Sequence, residues 1–442
     1  MTSLGIVLAH TFGERFETPI PLYLFVIGGA TVVFLSFLLV VRRGGEPPAA
    51  TDAADLVPAR ALSPAPAIAS VIGLLIVAIV GLTGTQEVAD NLAPLMFWIV
   101  LWIAVPLSCG VFGDWTRAVN PFGNLGRLGD NPNLRRAVLA RKEPLAWSFG
   151  WIPALLMFFA LVLGELVFNA TTVHPNFIGT VLIGYGLASF FLGLLFGPAW
   201  LQQGEVFGVL FNTWGRLGWW RFGAPGRTGF SGGLDVPFST NPFRIVFVLL
   251  LLVSINFDGL LNTPQWASYE RRTYGLEPGR LEAFRSASLL ALVLIVFAVF
   301  LLFATASSRT GDRPTGTLPS LAGLLPSLVP IAFGYLIAHN LQYLMIQLQN
   351  LYPRLRNPGY GNTDAITFTP NIHVLPSRVN WYVSLFVIVA VHVIAVFIAH
   401  RHLARVGADE ASARRSEYPW LLAMVGYTAF SLYLIAQPLV EG

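Results

Sequence analysis

Two histidines sit inside hydrophobic runs near the C-terminal end of the chain: His339 in LVPIAFGYLIAHNLQYLMIQLQN and His392 in WYVSLFVIVAVHVIAVFIAH. An ionisable side chain at membrane depth is costly, so it faces a bundle interior, a cavity or a bound ion. If the first run is helical, Tyr335, His339, Gln342, Ile346 and Gln349 share one stripe at i, i+4, i+7, i+11 and i+14. Four of those five side chains form hydrogen bonds, which is unsuited to lipid and predicts a stripe facing protein or water. In the next run Ser384, Ile388 and His392 climb one face. At 1.5 Å per residue the two imidazoles lie roughly 15 and 20 Å below the outer ends of their helices. Adjacent antiparallel helices would then make them neighbours.

Such a pair suits several chemistries. Two imidazoles can bind a single divalent transition metal, with a carboxylate or water completing the shell. They can ligate haem b from two sides, as in an electron-transfer subunit. They can also be satisfied core or proton-relay residues that tune helix packing. Asp258, in VSINFDGLLNTPQW, is the candidate third ligand; Asn256 flanks it and, with Tyr335, Gln342, Gln349 and Ser384, is expected to line the cavity. Glu165, in LVLGELVFNA, occupies a similar outer position in the fourth span, as another candidate third ligand or a side chain snorkelling to water. His174 and His373 read as loop surface, and His400 and His402 as residues of a basic membrane interface. A cleavage after Ala9 in MTSLGIVLAH would expose the amine and imidazole of His10 as a chelating pair, although the stretch lacks a basic n-region.

The elements that carry these residues follow from composition. Of 442 residues, 55% are hydrophobic and 11% charged, against about 25% charged in an ordinary soluble domain. A span needs about 20 apolar residues. Ten segments qualify, near 21–41, 66–84, 92–112, 145–168, 177–200, 243–262, 286–306, 321–349, 379–400 and 418–438. The expected fold is one all-α polytopic domain over 1–442, in the cytoplasmic membrane. With the N-terminus outside, the inner loops hold 19 Lys/Arg and the outer regions 8. The positive-inside rule therefore places both termini outside. Pro326 and Pro330 predict a kink near the inner end of the eighth span.

The inner loops carry further signals. Loop 113–144 holds turn residues before a short basic helix, and EVFGVLFNTWGRLGWWRFG in loop 201–242 suits an interfacial amphipathic helix. Asn-Pro-Phe occurs at 120–122 and again at 241–243, too little to establish a repeat. The single cysteine, Cys109, excludes an internal disulfide and any multi-cysteine metal site. No phosphate loop, His-Glu-x-x-His, Gly-x-Ser-x-Gly or Cys-x-x-Cys-His is present. The basic balance of +4 lies in short loops, so the partners expected are the bilayer and a small-molecule or metal substrate, with no nucleic acid.

In LAHTFGERFETPIPLYLF, VPIAFGYLIAHNLQYLMIQLQ and HVIAVFIAH the chain resembles a family of bacterial and archaeal polytopic proteins commonly labelled fenitrothion hydrolase. The resemblance covers essentially the whole length and implies hydrolysis of an organophosphate triester. It carries no residue-level catalytic assignment. Triester hydrolysis usually calls for one or two metals that activate water, and His339, His392 and Asp258 make at most one sparse site. From the residues themselves, the leading expectation is a solute or metal transporter with a histidine-lined cavity. A membrane-embedded metal-dependent hydrolase and a haem subunit are the alternatives.

Overall fold

A computed structural model describes residues 55–274, 277–311, 316–360, 368–407 and 409–440, with a few positions between 27 and 35. His10 and most of the first expected span lie outside the described residues. All regular structure within them is helical. Seven helices are long and apolar enough to cross a membrane: α1 (Pro64–Thr83), α2 (Leu92–Phe112), α5 (Pro175–Phe196), α7 (Pro242–Leu261), α8 (Pro278–Thr310), the α9–α10 unit (Thr317–Leu324 and Leu328–Gln347) and α11 (Ser377–Val406). Three further helices matter below: α3 (Pro121–Gly129), α4 (Ile152–Leu166) and α6 (Val206–Gly215). The chain closes with α12 (Glu410–Val440). Helix α4 has 15 residues where the sequence suggested a full span over 145–168. Helix α12 coincides with the last expected span but is not among the seven.

Asparagine–proline pairs start several of these helices. The Asn120 side chain accepts from the backbone N–H groups of Phe122 and Gly123 at the head of α3. Asn241 does the same for Phe243 at the head of α7. Proline at the first helical position lacks the N–H that would otherwise be orphaned. The repeated Asn-Pro-Phe is thus a helix-start signal. Elsewhere proline breaks regularity. A 3₁₀ turn, Leu325–Ser327, separates α9 from α10 next to Pro326, which is the expected kink. Within α2, residues Leu95–Ala104 adopt the wider π-helical turn, and Pro106 just beyond has no N–H to offer the carbonyl of Trp102.

Small residues let the helices approach. A Cβ on Gly193 of α5 would lie 2.0 Å from the Gly126 carbonyl oxygen of α3, and one on Gly334 of α10 would lie 2.3 Å from Val391 Cγ2 of α11. Close backbone contact of this kind is what drives helix association where lipid is as apolar as leucine.

Helix α6 corrects one expectation. It is no interfacial amphipathic helix, because every residue from Val206 to Gly215 except Gly208 is buried. VFGVLFNTWG has apolar residues around its whole circumference, so it belongs inside. Beyond it Trp219, Trp220 and Phe222 are exposed, as interface aromatics are.

The end of the bundle where α7 begins is pinned by one carboxylate. Asp55 pairs with both Arg216 and Arg244; its Oδ2 accepts from Arg244 Nε at 3.0 Å and from the Ser239 N–H at 2.8 Å. Arg244 also donates to Thr213 Oγ1 at 3.0 Å and lies 4.6 Å from the Trp151 ring. The cluster therefore joins the segment before α1, the head of α4, helix α6, the 236–241 loop and α7. Burial pushes the Asp55 carboxyl up, but the two guanidiniums outweigh it and hold it below its ordinary value. A carboxyl lowered by folding stabilises above its unfolded value, about pH 4, and loses that contribution as pH falls through the lower folded value.

We expect Asp55→Ala, which leaves two buried guanidiniums without their counter-ion, to cost about 3–5 kcal/mol of stability. Thermal unfolding in detergent will show this as a strongly lowered Tm. Asp55→Asn will remove the acid-dependent step below about pH 4; an unchanged Tm in both variants would refute the pinning role.

Candidate functional site

Five helices converge on a small cavity of about 50 Å³ near the C-terminal ends of α4 and α7. That volume admits a few waters. Helix α7 contributes Ser254 and Asp258, α10 contributes Leu336, His339 and Asn340, α4 contributes Glu165, and the π-helical part of α2 contributes Trp102 and Ile103. Trp214 of α6 closes the inner side and packs against Phe333, ring centroids 5.8 Å apart. The wide turn in α2 is a common device at functional sites; here it carries an aromatic wall.

The charges inside are paired. His339 Nε2 contacts Asp258 Oδ2, with side chains 19% and 11% exposed. Asn262 donates to the Asp258 backbone oxygen at 2.9 Å and to its Oδ1 at 3.3 Å. Glu165 lines the same cavity as Trp102 and lies within electrostatic reach of Asp258, His339 and Tyr343. Asp258 thus faces a cavity as well as sitting at a helix end, and Glu165 belongs to the same cavity. Both acids occupy the last turn of their helices, α7 and α4. The negative end of a helix dipole disfavours a carboxylate, so each acid is exposed to two unfavourable fields, low dielectric and the dipole. A positive charge between them relieves both.

The second histidine is elsewhere. His392 is completely buried and does not line the cavity. Its Nδ1 lies 2.7 Å from the Ile388 carbonyl oxygen, one turn back on α11. Its ring stands edge-on to Tyr335, centroids 6.0 Å apart. The structure brings His339 and Asp258 together and gives His392 other partners. Among the described residues no group of three or more His, Cys, Asp or Glu side chains is placed to hold a metal ion. The donors near His339 are one imidazole and two carboxylates, not a closed shell.

The residues expected to line the cavity hydrogen-bond locally. Gln342 Oε1 accepts from Asn380 at 3.4 Å, Ser384 donates to the Ala338 carbonyl at 3.3 Å, and Asn256 donates to the Tyr427 hydroxyl. Gln349 exchanges two bonds with Asn371 of the outer loop at 3.0 Å each. Tyr335 turns toward His392. The face that reaches the cavity is rotated by about one residue, to Leu336, His339 and Asn340, at i, i+3 and i+4. That spacing is equally helical, and Tyr343 beside Glu165 is the signal that would have selected it. Trp102 and Ser254 had no signal beyond membership of an apolar run.

The remaining histidines divide. His373 is exposed in the outer loop and His174 precedes α5. His400 is no surface residue: its Nδ1 lies 2.7 Å from Oε1 of buried Glu417 on α12. His402 packs on Gly323, where a Cβ would meet its Nε2 at 2.3 Å. Nearby, Arg401 pairs with Asp235 at 2.5 Å. The basic flank of α11 is thus partly interior. Cys109 is buried and unbonded, in line with inert packing.

No family model matches the chain, and neither a curated protein nor a solved structure is similar to it.

A double-mutant cycle tests the central pair. Asp258→Leu will destabilise by about 3 kcal/mol, because it strands a buried imidazole. Adding His339→Leu will restore at least half of that loss. Strictly additive losses would show that the two side chains are not coupled.

Proposed function

We propose that the protein is a multi-pass permease for a small cation, exchanged against protons at Asp258, Glu165 and His339. The observation that carries this is one imidazole between two carboxylates, in a cavity walled by apolar and aromatic side chains. With both acids ionised and His339 protonated, the site carries a formal charge of −1. A net charge at membrane depth is expensive, so one further positive charge is called for: a proton on Glu165, or a bound cation. Alternation between those two states is cation–proton exchange. The interruption between α9 and α10 and the π-helical part of α2 support this reading, since irregular backbone at membrane depth occurs where it is buried in protein or lines a cavity. The full topology proposed is ten spans with both termini outside in the cytoplasmic membrane, following the 19-to-8 distribution of basic residues.

A second reading rests on the same dyad. An imidazole paired with a carboxylate can take a proton from water, so triester hydrolysis by an activated water is the competing proposal, in keeping with the family resemblance. A third, a divalent metal held at the His339 pocket, follows from the same donors.

The test uses purified protein in vesicles containing a pH-sensitive dye. Addition of monovalent cations, divalent cations or small amines to the outside will drive proton movement for at least one class. Asp258→Asn and Glu165→Gln will each slow it at least tenfold. Absence of any cation-driven proton movement, with turnover of a chromogenic phosphotriester by the wild type and its loss in Asp258→Asn, would replace the permease with the hydrolase. Stoichiometric metal that disappears in His339→Ala would favour the metal reading.

A further inference from the structure

A second cavity, of about 290 Å³, lies at the end of the bundle where α7 begins, apart from the His339–Asp258 pair. The 236–241 loop, the last turns of α8 and α11, helix α9 and the second turn of α12 enclose it. Pro237, Thr240 and Pro319 are exposed and form its mouth, whereas Ala304, Ser307, Ala322 and Leu324 are buried and form its floor. A cavity of roughly 150 Å³ holds one benzene ring, so this one has room for two fused rings. It stands at the lower limit of small-molecule sites, about 300 Å³.

The lining selects the kind of molecule. Phe238, Ala304, Ala322, Leu324 and Leu403 make the walls chiefly apolar. Among the described residues that line it there is no carboxylate, guanidinium or ammonium, and His402 is the one ionisable side chain. The nearby cations of α11 are committed elsewhere. Arg401 pairs with Asp235 at 2.5 Å, and Arg405 donates to the backbone oxygens of Arg401 and Asp235. Such walls favour an uncharged occupant, because a net charge here would meet no counter-ion.

Ser307 supplies the polar feature. Hydroxyls along α8 bond back to the carbonyl one turn earlier: Ser286 to Glu282, Ser288 to Phe284, Thr305 to Leu301 and Thr310 to Ala306, at 2.7–2.9 Å. Ser307 does not follow them. Its Oγ is buried with no hydrogen-bond partner. An unsatisfied buried hydroxyl is disfavoured, and alanine would serve packing at this position without that cost. We propose that the cavity binds an uncharged molecule of one or two rings that bears a hydroxyl or carbonyl oxygen. The rings lie against Phe238 and Leu403, and the oxygen accepts from Ser307. The mouth lies at the ends of membrane-crossing helices, the boundary where molecules with one apolar and one polar end collect. Asp258 is at the far end of α7, so this site stands whether or not cation–proton exchange does.

The probe is radiolabelled 1-naphthol, in equilibrium dialysis against the full chain in lipid nanodiscs, with empty nanodiscs as the partition background. The wild type will show one saturable site per chain above that background. Ser307→Ala will weaken it at least fivefold. Naphthalene, which lacks the oxygen, will compete at least fivefold less well than unlabelled 1-naphthol, and the anion 1-naphthoate will not compete. Ala304→Phe, which fills the floor, will abolish saturable binding with Tm retained. The naphthalene and naphthoate comparisons use the wild type alone, so they decide the matter even where a variant fails to fold. Absence of a saturable site, or saturable binding indifferent to both substitutions, would overturn the proposal. Equal competition by naphthalene or by 1-naphthoate would overturn it as well.

Discussion

A carboxylate shared by two buried guanidiniums is the interaction on which the architecture depends. Arg216 and Arg244 are 7% and 1% exposed as side chains, and neither can shed its proton. Each must therefore meet negative charge, and among the described residues Asp55 supplies it. Asp55 lies ahead of α1, while its partners lie beyond the end of α6 and at the head of α7, so the cluster closes a loop of chain of almost two hundred residues. The Trp151, Phe238 and Phe247 rings around Arg244 add cation–π contact and keep water out. With the C-terminal end of α6 and the head of α7 fixed in this way, Trp214 is held beside the pinned end of α6 and Asp258 at the far end of α7, both lining the cavity.

How much of this was legible in the sequence depends on the range of the signal. Apolar runs of span length announced the helices, because a span is a local property. Pro326 announced the break before α10 for the same reason. The error at α6 came from reading its neighbours: Trp219 and Trp220 are exposed, but VFGVLFNTWG ahead of them is apolar on every face. Only packing against α2 and α4, contributed by distant sequence, decides that it is interior. Likewise the basic residues of the inner loops orient the chain, yet Arg135, Arg216, Arg244 and Arg401 are buried and committed to carboxylates or carbonyls. A loop charge and a core charge look alike in sequence.

The site was half legible. His339 and Asp258 were singled out for their cost at membrane depth, and they do meet. Their partnership was not visible, because it joins α7 to α10 across more than seventy residues. Adjacency of α10 and α11 suggested instead that the two histidines face each other. A helix has more than one face, however, and the α10–α11 contact uses Gly334 and Val391. His339 is turned from that seam toward α7. Choosing between Gln342 and Tyr343 for the polar stripe is a rotation of one residue, below what periodicity alone resolves in a helix that is apolar around most of its surface.

The placement of the acids argues most directly about function. A structural ion pair can sit anywhere along a helix, and the favourable place for a carboxylate is near the N-terminus. Asp258 and Glu165 occupy the opposite ends of α7 and α4, where the unpaired carbonyls of the last turn add negative potential. His339 contacts Asp258, and with both acids ionised and the imidazole protonated the three side chains together carry a formal charge of −1. Packing alone would be better served by a neutral residue at position 165. On the permease reading proposed above, such a pocket attracts a cation and loses that attraction when a proton arrives. That reciprocity is what couples the two: the cation and the proton compete for the same negative charge, and each displaces the other without a lever acting at a distance.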